Sequence, residues 1–389
     1  MVMEYRAPDT ASLHATIPQY IGEFARKHLG GSAVERDHEG GENLQAFREQ
    51  WQTAAKSGIL GQNHPERFGG QSVSAETLAQ SLEALGYACP DTGLCLGMSG
   101  QIVAFQKPIL EFGTDDQKYA LLPGLISGSL LGSVCITEPD AGSDAASMKT
   151  QAVADGDGFI ISGIKSFVGN APVADSFLIF AKTHPERGSW GVSAFLARAD
   201  QPGISVSKSI EKMGLRSLPM GNVELDGLRV MNSSMLGGLG SGMAILRRTL
   251  EWERGLIFAS SVGAMRRQLE EATEFARNRE QFGKPITEFQ SVSNRLADMR
   301  VRYETSRLVL LEAARALEAG QSASMISSIS KLHLSEACYE TALDYLRITG
   351  GVGYLKGHEA ERALRDMVGG LIYSGTSDIQ RNIIADLLP

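Results

Sequence analysis

The stretch Leu246–Met265, LRRTLEWERGLIFASSVGAM, puts a carboxylate where an apolar side chain is expected. At helical spacing Leu246, Leu250, Ile257 and Ala264 form one stripe, and Glu253 fills the gap between Leu250 and Ile257. A helical glutamate on the surface commonly has a Lys or Arg three or four residues away, but here those positions hold Thr249, Leu250, Leu256 and Ile257. Two readings stand. Glu253 is either an ordinary solvated side chain or a withdrawn carboxylate, whose burial disfavours ionisation and lifts its pKa toward the range of a general base. Glu251, two residues earlier, points elsewhere on the helix and is the weaker candidate.

A second candidate is SVCITEPDAGSD, Ser133–Asp144. Thr137, Ser143 and the amides of this glycine-containing loop either grip a polar ligand or form a capped surface turn. The seven histidines include no HExxH, and Cys89, Cys95, Cys135 and Cys338 form no CxxC, so a metal site has no support. The cysteines read as buried thiols rather than a disulfide framework.

The elements that must position these residues follow from the pattern. From Ala11 to about Ser129 apolar residues repeat at three and four, and Thr114 with Gln117 has the spacing of a capping box. The period then shortens: KTQAVADGDGFIISGIKSFV reads as a hairpin turning at Asp155–Gly158, and four further short runs complete a compact antiparallel β region. After LGGLGSG the helical period returns almost to the end, broken at RNREQFGKPI, EAGQSAS and GGVGYLKG, which suggests a bundle. The 389 residues can bury a core large enough for a dry cofactor pocket. A net charge of -8 argues against nucleic acid or anionic membrane as partner. The opening MVMEYRAPDTASLH lacks a basic segment followed by an apolar run, and no stretch reaches the ~18 consecutive apolar residues of a membrane span, so a cytoplasmic protein is expected.

TEPxAGSD ahead of the strands, RNREQFGKPI between two long helices, and GGVGY followed by LRD and IYSGTSDIQ resemble the acyl-CoA dehydrogenase family in content and order. The resemblance spans nearly the whole chain. It implies an α+β class and that family's fold: an N-terminal helical domain (1–130), a middle antiparallel β domain (131–238) and a C-terminal helical bundle (239–389). It further implies a homotetramer, with FAD bound partly across a subunit contact. The implied reaction removes a proton from the carbon α to a thioester carbonyl and a hydride from the β carbon, the flavin receiving the hydride.

Carried over by position, the resemblance places Ile136, Thr137, Gly142 and Ser143 along the flavin and the start of the substrate channel. Phe167 falls where a tryptophan commonly meets the isoalloxazine, and Gly169 where a threonine hydroxyl is usual. Arg279, Phe282 and Gln290 match positions that reach the FAD of a neighbouring subunit, the arginine offering a fixed fork of donors to pyrophosphate. Gly350 and Gly351 would admit the cofactor's phosphates or adenosine. Arg347 and Asp378 depart from common glutamines, while Thr376 is retained.

The strongest departure is Tyr373-Ser374-Gly375-Thr376, where many relatives carry Tyr-Glu-Gly-Thr and use that glutamate as the base. A serine hydroxyl has no base of its own here. In a minority of the family the base lies on a bundle helix, in a Glu-Arg pair that aligns with Glu253-Arg254. That alignment favours the withdrawn, catalytic reading of Glu253. The backbone N–H of Ser374 would then stabilise the developing enolate. Tyr373, Ser143 and Arg254 are expected near the substrate, Arg254 either orienting it or positioning its neighbour.

KSFVGNAPVAD, LRSLPMGNVELDG, the Trp252-Glu253-Arg254 run and YSGTSDIQRNIIA further resemble carrier-protein dehydrogenases of natural-product pathways, notably those that oxidise a carrier-bound prolyl group. The expected substrate is a short acyl or aminoacyl thioester on phosphopantetheine, with an electron-transfer flavoprotein or oxygen as acceptor. Alternatives are a short branched-chain acyl-CoA dehydrogenase, a flavin monooxygenase, or a non-catalytic flavoprotein on the same scaffold.

Overall fold

The computed structural model describes residues 10–31, 33–320 and 322–389. Met1–Asp9, most of the stretch read for a targeting signal, lie outside the described residues. The chain opens with helices α1 (Thr10–His28), α2 (Ala33–Glu39), α3 (Leu44–Ala55), α4 (Ala75–Ala88), α5 (Thr92–Gly100), α6 (Lys107–Phe112) and α7 (Asp115–Ser127). A π-helical turn, Gln101–Gln106, joins α5 to α6. The α7 terminus carries the expected capping box, in which Thr114 accepts from Gln117 N and the Gln117 side chain accepts from Thr114 N.

Strands follow: β1 (Gly132–Cys135), β2 (Gln151–Asp155), β3 (Gly158–Gly169), β4 (Ser176–Lys182), β5 (Val192–Arg198), β6 (Ile204–Val206), β7 (Met220–Met231) and β8 (Met235–Leu236). They make one sheet in the order β6-β7-β3-β2-β4-β5-β8, with β1 added on β4. The β2–β3 hairpin turns at the expected place, Asp155 pairing with Gly158 and Gly156 taking φ +58°. A purely antiparallel sheet is corrected in one respect: β1 and the first residue of β2 run parallel to β4. The reason is the Ile136–Thr150 excursion, which separates β1 from β2 and prevents a tight hairpin between them.

Both faces of β4 are covered. Phe177, Ile179 and Ala181 join one buried cluster of the sheet, whereas Leu178 and Phe180 face α6, α7 and α8 (Gly242–Leu256) in another. This explains why SFLIF reads as a continuous apolar run rather than an alternation.

The C-terminal part comprises α8, α9 (Ala259–Asn278), the β9–β10 ribbon (Glu280–Gln281 and Lys284–Pro285), α10 (Gln290–Glu318), α11 (Ser324–Thr349), α12 (Glu359–Gly370) and α13 (Ser377–Asp386). Two glycines let α4 and α9 cross closely: a Cβ at Gly86 would lie 1.8 Å from Ser260 O, and one at Gly263 1.9 Å from Glu83 O. The single stripe through Ala264 is also corrected. The helix is interrupted at Ile257–Phe258, so Ala264 belongs to α9 and Glu253 sits in the last turn of α8. No helix among the described residues is long and apolar enough to cross a membrane.

Candidate active site

A cavity of about 240 Å³ lies where the α5 and π-turn segment, strands β1 and β3, the 212–220 loop, the end of α8 and the segment before α13 converge. Its wall is mainly apolar, with Leu96, Ala104, Ile136, Leu218 and Ile257 among the lining side chains. Glu253 brings a carboxylate into it.

Glu253 is half-buried, and the Ser374 hydroxyl donates to its Oε1 at 2.5 Å. Burial pushes the Glu253 carboxyl above the ordinary glutamate range, against the opposing pull of the Ser374 hydrogen bond and the Arg254 charge. The loop that carries Ser374 is tightly held. Arg254 Nε donates to Ser374 O at 3.2 Å, and Gln380 Nε2 donates to Ser374 O at 3.2 Å and to Gly375 O at 3.1 Å. Ser374 itself adopts φ +58°, an unusual conformation for a side-chain-bearing residue that these contacts hold in place. Tyr373 lines the cavity and stacks on Phe258, with ring centroids 5.3 Å apart. Arg254, expected near the substrate, does not line this cavity; its hydrogen bond goes to the loop. Glu251 is engaged elsewhere, by Arg248 at 3.0 Å and by Ser324.

On the opposite wall β3 bulges between Lys165 and Val168. Phe167 sits on this bulge at φ +56° and is 64% exposed, although it is a large apolar residue. Gly169 follows, where a Cβ would meet only Leu218 at 3.9 Å. An exposed aromatic ring beside an open, side-chain-free patch suits a planar heteroaromatic group such as an isoalloxazine. Ile136 shares this wall, and Thr137 O accepts from Ser166 N at 2.8 Å, which ties the TEPDAGSD loop to β3. Gly142 and Ser143 are exposed farther along that loop and do not line the cavity.

Glu138, in the same loop, accepts from Lys165 Nζ at 2.8 Å, Thr150 N at 3.0 Å, Thr150 Oγ1 at 2.5 Å and Lys149 N at 2.5 Å. Lys165 also reaches Ile136 O at 3.2 Å. This buried pair fixes the loop to the strand two residues before Phe167.

The remaining expected cofactor residues are not brought to the cavity by this chain alone. Arg279 borders a separate cleft of about 400 Å³ with Thr349 and His358. Phe282 is 94% exposed at the ribbon turn, and Gln290 is exposed at the start of α10. Gly350 and Gly351 are exposed beyond α11, while Arg347 pairs with Asp344 at 3.2 Å. Thr376 caps α13 by accepting from Ile379 N at 3.2 Å, and exposed Asp378 accepts from Arg381 at 3.2 Å.

The sequence reading missed Asn170, Lys212 and Gly97 in the cavity wall. Two glycines inside the α5 segment CLGMSG were the available signal for a close approach; nothing local marked Lys212.

Three family models match in chain order: "Acyl-CoA dehydrogenase, N-terminal domain" over residues 13–129, the middle domain over 133–228 and the C-terminal domain over 240–388. The L-prolyl-[peptidyl-carrier protein] dehydrogenase of Pseudomonas fluorescens is 39% identical over 385 residues, covering 98% of this chain and 99% of the relative. Among solved structures, the prolyl acyl carrier protein oxidase AnaB superposes with a TM-score of 0.94 at 39% identity, covering 96% of this chain and 98% of that one. A structure described as PigA with FAD and proline gives a TM-score of 0.92 at 35% identity, covering 99% and 98%. A family fold matched from residue 13 to residue 388, with a carboxylate in the wall of its central cavity, has one assignment: the chain belongs to the acyl-CoA dehydrogenase family.

Proposed function

We propose that the protein is an FAD-dependent α,β-dehydrogenase of a short acyl or aminoacyl thioester borne on the phosphopantetheine arm of a carrier protein. The observation that carries this reading is the Glu253 carboxylate, half-buried in a small cavity and hydrogen-bonded by the serine that occupies the loop-base position. The full-length likeness to carrier-bound prolyl dehydrogenases supports the substrate class.

In this reading Glu253 takes the α proton, and its raised pKa matches it to a weakly acidic carbon acid. The Ser374 hydroxyl holds the carboxylate, and the Ser374 N–H donates to the thioester carbonyl as negative charge grows there. Arg254 and Gln380 keep that loop in its productive conformation. Ile136, Thr137, Phe167 and Gly169 would hold the flavin ring, with Gly142 and Ser143 at the channel mouth. The chemistry an oxidised flavin supplies there is acceptance of the β hydride.

Arg279, Phe282, Gln290, Arg347, Gly350, Gly351, Thr376 and Asp378 would complete FAD sites across a subunit contact in a homotetramer. The division at 130 and 238 separates the three domains, and an electron-transfer flavoprotein or oxygen is the acceptor. The test is anaerobic bleaching of bound flavin by a panel of acyl and aminoacyl groups on both a carrier protein and CoA. Bleaching by the carrier-bound members supports the proposal. Bleaching by branched acyl-CoA alone selects the branched-chain alternative, and no bleaching by any member overturns the dehydrogenase reading.

A further inference from the structure

Two stretches that the dehydrogenase reading leaves without a role, LRSLPMGNVELDG and LRD, meet beside the cavity. The 212–220 loop is wedged between α5 and α12: a Cβ on Gly93 would lie 2.9 Å from Leu218 N, and one on Gly214 2.2 Å from Arg365 O. Leu215 takes φ +51°, a left-handed conformation that a bulky side-chain-bearing residue rarely adopts. Its N–H donates to Asp366 Oδ1 at 2.5 Å, and both residues are buried. From the same helix, Arg365 Nη1 donates to Met213 O at 3.0 Å.

The turn that follows delivers Leu218 to the cavity wall. Leu218 N donates to Leu215 O at 3.1 Å, and Lys212 Nζ donates to Leu218 O at 2.8 Å. The Ser217 hydroxyl donates to Asp91 Oδ1 at 2.5 Å, the same oxygen that caps α5 by accepting from Leu94 N at 2.9 Å. Leu218 reaches two glycines of the wall: a Cβ on Gly97 would lie 3.0 Å from its Cδ1, and one on Gly169 3.9 Å from its Cδ2. One isobutyl group thus bridges α5 and the end of β3. Its backbone turn starts at a strained residue, and such a residue persists only where its surroundings hold it.

We infer that Asp366 is a positioning residue: by holding Leu215 in its left-handed conformation it seats Leu218 between α5 and β3 and so fixes the width of the substrate cavity. This inference rests on the proposed dehydrogenase reading and deepens it, since a narrow cavity selects small acyl rings. Asp366 itself does not line the cavity and acts through Leu218. Burial pushes the Asp366 carboxyl up to about 7, so near neutral pH an asparagine amide, which keeps the shape and the accepting oxygen, is a close replacement.

The experiment uses the holoenzyme and compares prolyl-pantetheine with pipecolyl-pantetheine, whose ring carries one more methylene. Anaerobic flavin reduction gives the ratio of kcat/KM values for wild type, Leu218→Ala, Asp366→Ala, Asp366→Asn and the double variant of Leu218→Ala with Asp366→Ala. Amide hydrogen exchange of the 212–220 segment, measured without thioester, reports on the loop by itself. Ser217→Ala, which cuts the tether to Asp91, is a milder second perturbation should Asp366→Ala fail to fold.

Wild type should prefer the prolyl ring by about 10- to 200-fold, the usual worth of one methylene in a fitted pocket. Leu218→Ala and Asp366→Ala should each lower that preference by about 10-fold, Asp366→Asn should keep it, and the double variant should lose no more than Leu218→Ala alone, because the aspartate acts through the leucine. Exchange at Leu215 and Leu218 should quicken in Asp366→Ala and Ser217→Ala while α12 stays protected. Unchanged discrimination in Asp366→Ala, with or without lost flavin, overturns the inference. So do additive losses in the double variant, or exchange loosened across the whole molecule, which would assign Asp366 a general structural role. If neither thioester bleaches the wild-type flavin, the proposed function fails, and the exchange pattern still decides whether Asp366 holds the loop.

Discussion

Breaking the Glu138–Lys165 pair should cost more from one side than from the other. Both side chains are buried, and losing one partner of such a pair costs about 3–5 kcal/mol because the survivor is left uncompensated. In Lys165→Met the Glu138 carboxylate keeps three donors, Thr150 N, Thr150 Oγ1 and Lys149 N, which puts this variant near 3 kcal/mol, the lower end of the range. In Glu138→Gln the Lys165 ammonium loses its carboxylate partner and keeps Ile136 O at 3.2 Å and Met148 Sδ at 3.9 Å, which puts this variant near 5 kcal/mol, the upper end. The double variant should cost less than the sum of the two, since the partners are in direct contact. Urea unfolding followed by intrinsic fluorescence, with bound-flavin content measured alongside, provides the assay. The pH dependence has a definite sign. Burial raises the Glu138 pKa, but the hydrogen bonds and charge from Lys165, with further donors from Thr150 and Lys149, outweigh it and hold the carboxyl below its ordinary value. The pair's contribution is therefore present at neutral pH and lost as pH falls through that depressed value. Single variants each costing under about 1 kcal/mol, or Lys165→Met costing more than Glu138→Gln, would refute the reasoning.

Three other outcomes are expected. Gly86→Ala and Gly263→Ala each force a Cβ into backbone carbonyl oxygen at under 2 Å, so each should destabilise the α4–α9 crossing by about 1–3 kcal/mol or more in thermal or urea unfolding. Ser374→Ala removes a donor to the ionised Glu253; its pKa rises further, and the acid limb of kcat/KM moves to higher pH, as a pH–rate profile would show. Arg279→Ala, at an exposed position outside the cavity, should lower FAD retention on dilution and weaken subunit assembly on size exclusion, without moving the acid limb set by Glu253.

The fold was legible where periodicity is strong. Helices, then strands, then helices followed from spacing alone, and the hairpin at Gly156 and the cap at Thr114 followed from local backbone chemistry. Glu253 was legible as a break in an apolar stripe that no local cation explained. Its partner was not: Ser374 lies 121 residues away, and the 2.5 Å contact exists only because α8 ends where the loop before α13 arrives. The parallel pairing of β1 with β4 was hidden for the same reason, since register between distant strands leaves no local mark. The exposure of Phe167 depends on a bulge in β3, and SFV reads the same with or without one.

The central claim is that Glu253 is the α-proton base, and single-turnover flavin reduction by a carrier-bound prolyl thioester tests it most directly. Wild type should reduce its flavin, whereas Glu253→Gln should bind the same thioester and reduce about 10²–10⁴-fold more slowly, the usual contribution of a positioned general base. Reduction by Glu253→Gln at the wild-type rate would contradict the account and send the search for the base elsewhere in the cavity.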